Sequence, residues 1–255
     1  MKLQNYINGQ LIAPTDGAYI DNYNPSIGEV YSHIPDSDAQ DVQLAVDAAK
    51  AAFPIWSVMP VAERSRILMR VADLILERLD ELALAESIDN GKPLSLAKAV
   101  DIPRANQNFH FFATAILHWA NEAHIMENKV INYTIKHPIG VVGCISPWNL
   151  PLYLFTWKIA PALASGNCVV AKPSEVTPMT AYLLSQICID AGMPPGVLNI
   201  VHGLGPKTGQ AIVEHPEIKA ISFTGGTATG ARIAATAAPM LKKLSLELGG
   251  KNPNI

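Results

Sequence analysis

The sequence has 255 residues, of which 49% are hydrophobic and 16% are charged, so the chain can bury a sizeable core and is not disordered. Its formal net charge of −3 leaves no basic surplus for holding nucleic acid or anionic lipid. The amino terminus lacks the apolar segment of a secretory signal, and no apolar run approaches a membrane span, so we expect a cytoplasmic protein.

The first sixty residues predict a small β region that gives way to helices. Asn8-Gly9 stands between two apolar pairs, which is the strongest short signal for a β-hairpin. From Asp38 to Phe53 the apolar residues recur at helical spacing, and Pro60 opens a longer helix.

Two further helices are predicted before residue 120. Asn90-Gly91-Lys92-Pro93 ends the first of them with a turn, and Asp101-Ile102-Pro103-Arg104 begins the second. The apolar face of the second helix is expected to pack in the core, and it comprises Phe109, Phe112, Ile116 and Trp119.

After residue 140 five predicted strands alternate with four predicted helices. The predicted strands are 141–145, 168–171, 198–201, 220–223 and 244–248. Strands joined by helical crossovers call for a parallel sheet covered on both faces, so we predict an α/β, doubly wound, Rossmann-like domain. Ligands of such sheets bind outside the carboxyl ends of the strands, where the polar and glycine-rich segments of this chain are expected to lie.

Two glycine-rich turns compete for the role of phosphate-binding turn. Residues 203–209 resemble a dinucleotide fingerprint, but the third glycine comes one residue late and a proline fills the interior. Residues 225–230 open a helix directly after a strand, so free amides there could take a pyrophosphate. An ordinary turn capped by Thr227 remains the alternative. Lys172 and Glu175, which follow the strand 168–171, add a cation and a carboxylate for ribose hydroxyls.

Glu247 is the candidate general base, because a carboxylate between Leu246 and Leu248 is costly to bury as the anion. A surface glutamate at a strand end is the alternative. The three cysteines lack CxxC spacing, which argues against a disulfide framework or a zinc site and favours buried small residues. Cys144 ends a strand near Asn149 and is only a weak candidate nucleophile.

Four motifs in order along the chain resemble the aldehyde dehydrogenase superfamily, and the likeness runs its whole length. They are Pro147-Trp148-Asn149-Leu150-Pro151, Lys172-Pro173-Ser174-Glu175, Phe223-Thr224-Gly225-Gly226 and Leu246-Glu247-Leu248-Gly249-Gly250-Lys251. Within the family, segments 101–104, 152–158 and 242–253 look most like the 2-aminomuconate and 2-hydroxymuconate semialdehyde dehydrogenases.

The resemblance implies NAD-dependent oxidation of a small-molecule aldehyde to its acid through a cysteine thioester. Asn149 matches the family's oxyanion ligand, and Glu247 matches the base that activates water. A carboxylate at Glu175 would repel the 2′-phosphate of NADP, which favours NAD. The cofactor contacts implied in the same way are Ile145, Ser146, Pro147, Trp148, Lys172, Ser174, Glu175, Gly205, Gly225, Gly226, Thr227, Gly230 and Leu248.

The same resemblance divides the chain. It makes residues 1–122 and 138–250 the NAD-binding domain, 123–137 the first part of an oligomerisation arm, and 251–255 the start of a catalytic domain. We expect homo-oligomers through the arm. Gly226 stands where the family usually has serine, which removes one hydroxyl contact to the pyrophosphate.

The family's nucleophilic cysteine lies beyond the Glu-Leu-Gly-Gly-Lys segment, so we expect this chain to be a truncated cofactor-binding portion and inactive alone. A non-catalytic module that binds a nucleotide or another subunit is the alternative. The gene sequence downstream of Ile255 separates the two.

Arg104 is the candidate substrate-binding residue. Its guanidinium can take the remote carboxylate of a semialdehyde with two parallel hydrogen bonds. A surface pair with Asp101 is the alternative.

Overall fold

The computed structural model describes residues 1–127 and 129–251. Its strands are β1 (Asn5–Ile7), β2 (Gln10–Ile12), β3 (Tyr19–Asn24), β4 (Glu29–Pro35), β5 (Ala123–Met126), β6 (Val130–Tyr133), β7 (Val141–Ile145), β8 (Cys168–Lys172), β9 (Leu198–Ile200), β10 (Ile218–Thr224) and β11 (Lys243–Glu247). Its α-helices are α1 (Ala39–Trp56), α2 (Val61–Glu77), α3 (Leu79–Asn90), α4 (Leu94–Leu96), α5 (Ile102–Ala115), α6 (Pro151–Ala164), α7 (Met179–Asp190), α8 (Gln210–Glu214) and α9 (Thr227–Ala237).

The central sheet has the strand order β11-β10-β7-β8-β9-β1-β2. The five strands β7 to β11 are parallel, which confirms the predicted doubly wound α/β sheet. The chain leaves β7 through β8 to β9 and then returns to β10 on the other side of β7. The direction of winding therefore reverses between β7 and β10, and this is the switch point of the sheet.

The predicted amino-terminal hairpin is present as β1 and β2. Asn8 and Gly9 both have positive φ, 52° and 76°, as a two-residue turn of this kind requires. The sequence did not predict where the hairpin goes: β1 pairs antiparallel with β9 and extends the sheet. The Asn8 amide donates to Asn199 Oδ1 at 3.0 Å, which ties the turn to the same strand.

Helices pack against both faces of the sheet. On one side α1 contacts β8 and β9, and α8 and α9 contact β10 and β11. On the other side α6 and α7 cover β7, β8 and β9, and α2, α3 and α5 pack behind them. Asp38 starts α1 with a capping box to Asp41, and Trp56 at its end is buried.

The prediction for the apolar face of α5 holds for Phe109, which is fully buried, and for Phe112 and Ile116, which pack partly buried against the core. It is wrong for Trp119, which is 59% exposed. The helix tightens into a 3₁₀ turn at Ile116–His118 and Trp119 is already extended, so its ring leaves the helical face.

The predicted arm forms a separate two-stranded sheet. β5 and β6 pair antiparallel from Ala123 and Tyr133 to Met126 and Val130, and all eight of their residues are exposed. Its role in oligomerisation stays a prediction. Within residues 1–127 and 129–251, no helix has the length and apolar character that crossing a membrane requires.

Candidate functional site

The first loop at the switch point follows β7 and carries Asn149. The Ser146 amide donates to the Lys172 carbonyl at 3.1 Å, so the loop begins in register with β8. Trp148 is 57% exposed, and Asn149 is exposed as well. The loop therefore presents an amide side chain at the carboxyl end of the sheet, where the sequence predicted it.

The second loop follows β8 and contains a lysine and glutamate pair. The Lys172 ammonium is buried and donates to Glu175 Oε2 at 2.9 Å and to the Pro173 carbonyl at 3.0 Å. Burial lowers the pKa of Lys172, and Glu175 opposes that shift. Burial also opposes ionisation of Glu175, but Lys172 and the backbone amides of Glu175 and Gly205 outweigh it and lower its pKa. Glu175 is therefore ionised at neutral pH.

The other members of this loop are used locally. Ser174 Oγ accepts a hydrogen bond from the Val176 amide at 3.2 Å, so its hydroxyl closes the turn.

The sequence did not single out His202, which follows β9 beside Lys172. Its two ring nitrogens are buried without a hydrogen-bond partner among the described residues. Burial, followed by the charge of Lys172, lowers the pKa of His202 to about 3, so the ring is neutral.

The turn at 203–209 packs against the amino-terminal segment. A Cβ at Gly203, where φ is +141°, would lie 2.0 Å from Thr208 Oγ1, so glycine is required there by packing. Thr208 Oγ1 donates to the Ser37 carbonyl at 2.5 Å, and Lys207 pairs with Asp36 at 3.1 Å. Packing therefore explains the glycine at 203, whereas a Cβ at Gly205 would meet no atom within 4 Å.

The turn at 225–230 keeps its helix terminus open. Gly226 is the N-cap of α9, and no side chain caps the helix, so the alternative that Thr227 caps it is wrong. The Gly225 amide is not free, because it donates to the Glu247 carbonyl at 3.0 Å. A Cβ at Gly226 would meet no atom within 4 Å, whereas one at Gly230 would lie 2.4 Å from Leu248. Gly230 therefore serves close packing, and the space beside Gly226 is open.

Glu247 ends β11 opposite Thr224 of β10. Its side chain is exposed, so the prediction of a desolvated carboxylate between Leu246 and Leu248 is wrong for this structure. Glu247 instead borders a cleft between α6 and the strands β7, β10 and β11. It shares this cleft with Lys158 and Ser222.

Lys158 is a residue that the sequence reasoning missed. It is buried on α6, and its ammonium donates to Ser222 Oγ at 3.3 Å. Burial lowers the pKa of Lys158, while Cys144 and Glu247 oppose that shift. The available signal was a single charged residue in the mostly apolar run of α6.

All three cysteines are free and buried, as predicted. Burial raises the pKa of Cys144, Cys168 and Cys188 to about 12 in each case. Thiols of this kind are inert. Across the part of the chain that the structure describes, no three His, Cys, Asp or Glu side chains are grouped to hold a metal ion.

Arg104 lies on the exposed side of α5, in a second cleft that it shares with Tyr153 and Trp157 of α6. Its guanidinium carbon is 5.9 Å from the centre of the Tyr153 ring. The alternative pairing with Asp101 is wrong, because Asp101 is buried and lies 3.0 Å from the Lys92 ammonium.

The structure thus brings some predicted residues together and leaves others apart. Glu247 borders the cleft with Lys158, and Arg104 borders the second cleft. Trp157 lines both clefts, so they are neighbours. Asn149 lines neither cleft. Leu248 is 41% exposed beside α9, and Ile145 is buried.

Comparison with known proteins gives a consistent result. The profile of the aldehyde dehydrogenase family matches residues 12–255. The chain is 54% identical to a 2-aminomuconic semialdehyde dehydrogenase of Homo sapiens, with 100% of this chain and 52% of that protein covered. It is 46% identical to a 2-hydroxymuconic semialdehyde dehydrogenase of Pseudomonas sp. (strain CF600), covering 100% of this chain and 54% of that protein.

Among solved structures, the NAD+ complex of an aldehyde dehydrogenase from Bacillus cereus superimposes with a TM-score of 0.97 at 39% identity. The match covers 100% of this chain and 52% of that one. The chain therefore spans about half the length of the relatives that it matches.

Proposed function

The chain belongs to the aldehyde dehydrogenase family, and from that premise we propose that it is the cofactor-binding part of an NAD-dependent enzyme that oxidises a carboxylated semialdehyde. The observation that carries the proposal is the switch point between β7 and β10, because the loop with Asn149 and the open terminus of α9 both lie there. Open α/β sheets bind their ligands at this point.

Three features support a dinucleotide as the ligand. The first amides of α9 have no side-chain cap and suit a pyrophosphate. The ionised and partly exposed Glu175 suits ribose hydroxyls, which it would accept as hydrogen-bond donors. Gly226 leaves room for close approach of a phosphate. NAD, when bound, supplies the acceptor for the hydride that leaves the aldehyde carbon.

The residues of the chain have distinct roles in the proposed reaction. The Asn149 amide donates a hydrogen bond to the aldehyde oxygen as negative charge develops on it. The exposed carboxylate of Glu247 takes a proton from the water that hydrolyses the thioester. The nucleophilic thiolate is assigned to a residue outside this sequence, because the three cysteines here are buried and have raised pKa values.

Cofactor binding by the 255-residue chain is the direct test. We expect NAD+ to bind and NADP+ to bind more weakly, as measured by calorimetric titration, because the Glu175 carboxylate repels a 2′-phosphate. Glu175→Gln should reduce the difference between the affinities for NAD+ and NADP+. The control Glu217→Gln removes a glutamate that pairs with Lys50 at 3.2 Å near the opposite end of β10 and should leave the difference unchanged. Absence of NAD+ binding would refute the proposal.

Arg104 carries the substrate part of the proposal. Two relatives are named for semialdehydes of muconate, which carry a carboxylate remote from the aldehyde. Arg104 is exposed in a cleft beside Tyr153, and no salt bridge is formed by its guanidinium among the described residues. Its guanidinium can therefore donate two parallel hydrogen bonds to a carboxylate.

The test of Arg104 uses an enzyme form that contains the nucleophile. Arg104→Ala should lower kcat/KM for a carboxylated semialdehyde by an amount equivalent to roughly 2 kcal/mol of transition-state stabilisation. It should leave kcat/KM for a neutral aldehyde unchanged, because only the first substrate loses a charged hydrogen-bonding partner. Arg70→Ala, which removes an arginine paired with Glu77 at 2.7 Å on α2, is the control. Equal losses on both substrates would leave Arg104 a structural residue.

Self-association through the arm is the remaining part of the proposal. The β5–β6 sheet exposes Ile125, Met126, Val130, Ile131 and Tyr133, and water is a poor solvent for such a surface. Sedimentation of the chain at high concentration should show dimers or larger species. A clean monomer would count against this assignment.

A further inference from the structure

The last turn of α3 contacts the loop that carries Asn149. The Asn90 side-chain amide donates to the Trp148 carbonyl at 2.9 Å, directly before Asn149. Glu86 Oε2 accepts the Leu152 amide at 3.3 Å, in the first turn of α6. Two residues one helical turn apart therefore hold this loop on both sides of Asn149.

The same turn also contacts the end of the loop that carries Lys172 and Glu175. Asp89 Oδ2 accepts the Met179 amide at 2.6 Å, at the first residue of α7. The other oxygen of Asp89 accepts hydrogen bonds from Tyr31 and Asn22, whose Nδ2 lies 2.9 Å away. Asp89 is buried, so its position is fixed by partners on three separate elements.

A buried ion cluster supports this turn from beneath. Gly91 ends α3 with φ +79°, which turns the chain back and brings Lys92 under the helix. The Lys92 ammonium lies 3.0 Å from Glu86 and 3.0 Å from Asp101. All three side chains are nearly inaccessible to water, so the geometry of Glu86 is set by charge as well as by packing.

We infer that the last turn of α3, through Glu86, Asp89 and Asn90, is a clamp that sets the relative position of the two loops at the carboxyl ends of β7 and β8. These three are positioning residues, since each acts through the backbone of a loop. The inference rests on the proposed function, which gives both loops a ligand. It predicts that each loop can be released separately by breaking its own contact.

Hydrogen exchange of the 255-residue chain, followed by mass spectrometry of peptides, tests the clamp. Asn90→Ala should speed exchange by about tenfold in peptides covering 146–153, since one hydrogen bond is lost there. Asp89→Ala should do so in peptides covering 174–182 and should weaken NAD+ binding by about tenfold. If Asp89→Ala does not fold, Asp89→Asn replaces it, because an asparagine keeps one acceptor where two are needed.

A control separates the clamp from general loss of structure. Ser87→Ala removes a hydrogen bond to the Lys92 carbonyl, 2.7 Å long, that lies in the same turn but reaches neither loop. It should leave exchange in the two loops unchanged.

The outcomes decide the clamp and the proposed function separately. Faster exchange in the matching loop alone supports the clamp. If exchange in the Asn90 or Asp89 variant is faster throughout the chain, or only in α3, the clamp is overturned. The proposed function stands in that case, provided that the parent chain binds NAD+. A parent chain that binds no NAD+ would overturn the proposed function, and the exchange result would still decide the clamp.

Discussion

His202 gives a prediction whose size follows from its surroundings. The ring is buried beside Lys172, and neither nitrogen has a hydrogen-bond partner among the described residues. Burial and that charge lower its pKa to about 3, against 6.5 for an ordinary histidine. Between pH 6.5 and pH 3 the histidine of the unfolded chain is protonated and that of the folded chain is not. The free energy of unfolding therefore decreases as the pH falls below 6.5.

The magnitude follows from the two pKa values. At pH 5 the folded ring stays neutral and the unfolded ring is almost wholly protonated, which costs about 2 kcal/mol relative to pH 8. His202→Leu removes this cost. In urea unfolding, the stability of the variant minus that of the parent should therefore rise by about 2 kcal/mol between pH 8 and pH 5.

The comparison is a difference between two proteins, so titrations that they share cancel. His118→Leu, which replaces an exposed histidine, should leave the difference constant between the two pH values. A constant difference for His202→Leu as well would show that the ring accepts a proton in the fold, and it would refute the reasoning.

Three further predictions concern other sites. Burial raises the pKa of Glu86 to about 6 from 4.5, so the folded chain takes up this proton first and the stability from this group falls as the pH rises through 6. Urea unfolding measures the free energy of unfolding at pH 4 and at pH 7.5. Glu86→Gln should reduce the loss of that free energy between the two pH values by up to about 2 kcal/mol. Gly196→Ala should cost roughly 3 kcal/mol in the same assay, because φ is +80° and the new Cβ would lie 2.4 Å from the Ala48 carbonyl oxygen. Gly192→Ala, with φ +72° and open space, should cost only about 1 kcal/mol. Gly226→Ser should increase the affinity for NAD+ about threefold, as measured by calorimetry, because it adds a hydroxyl in open space. Gly226→Ala adds no hydroxyl and should leave the affinity unchanged.

The sequence was informative wherever the signal is local. Alternating strands and helices after residue 140 predicted the parallel sheet, and Asn8-Gly9 predicted its hairpin, because turn chemistry and periodicity act over a few residues. The motif residues fell at the carboxyl ends of the strands for the same reason. Their roles came from the family resemblance, and those roles stay predictions.

The sequence was uninformative wherever a contact joins distant segments. Nothing local shows that Asp89 meets Met179, 90 positions away, or that Asp101 pairs with Lys92 and not with Arg104. Glu247 was judged from its apolar neighbours in sequence, but a strand residue faces away from them, and its exposure depends on what covers that face. Nothing local shows that the Lys158 ammonium reaches Ser222, 64 positions later, so the sequence did not single out Lys158.

The pairing of β1 with β9 has a consequence for biosynthesis. The Asn8 amide binds Asn199, 191 positions later, so the hairpin has no place to dock until the ribosome has made most of the chain. At 5–20 residues per second, this interval is roughly 10 to 40 s. Throughout it the nascent chain carries an unpaired hairpin that is open to chaperones. The slow step of folding is expected to be the capture of this amino-terminal hairpin by the edge of β9.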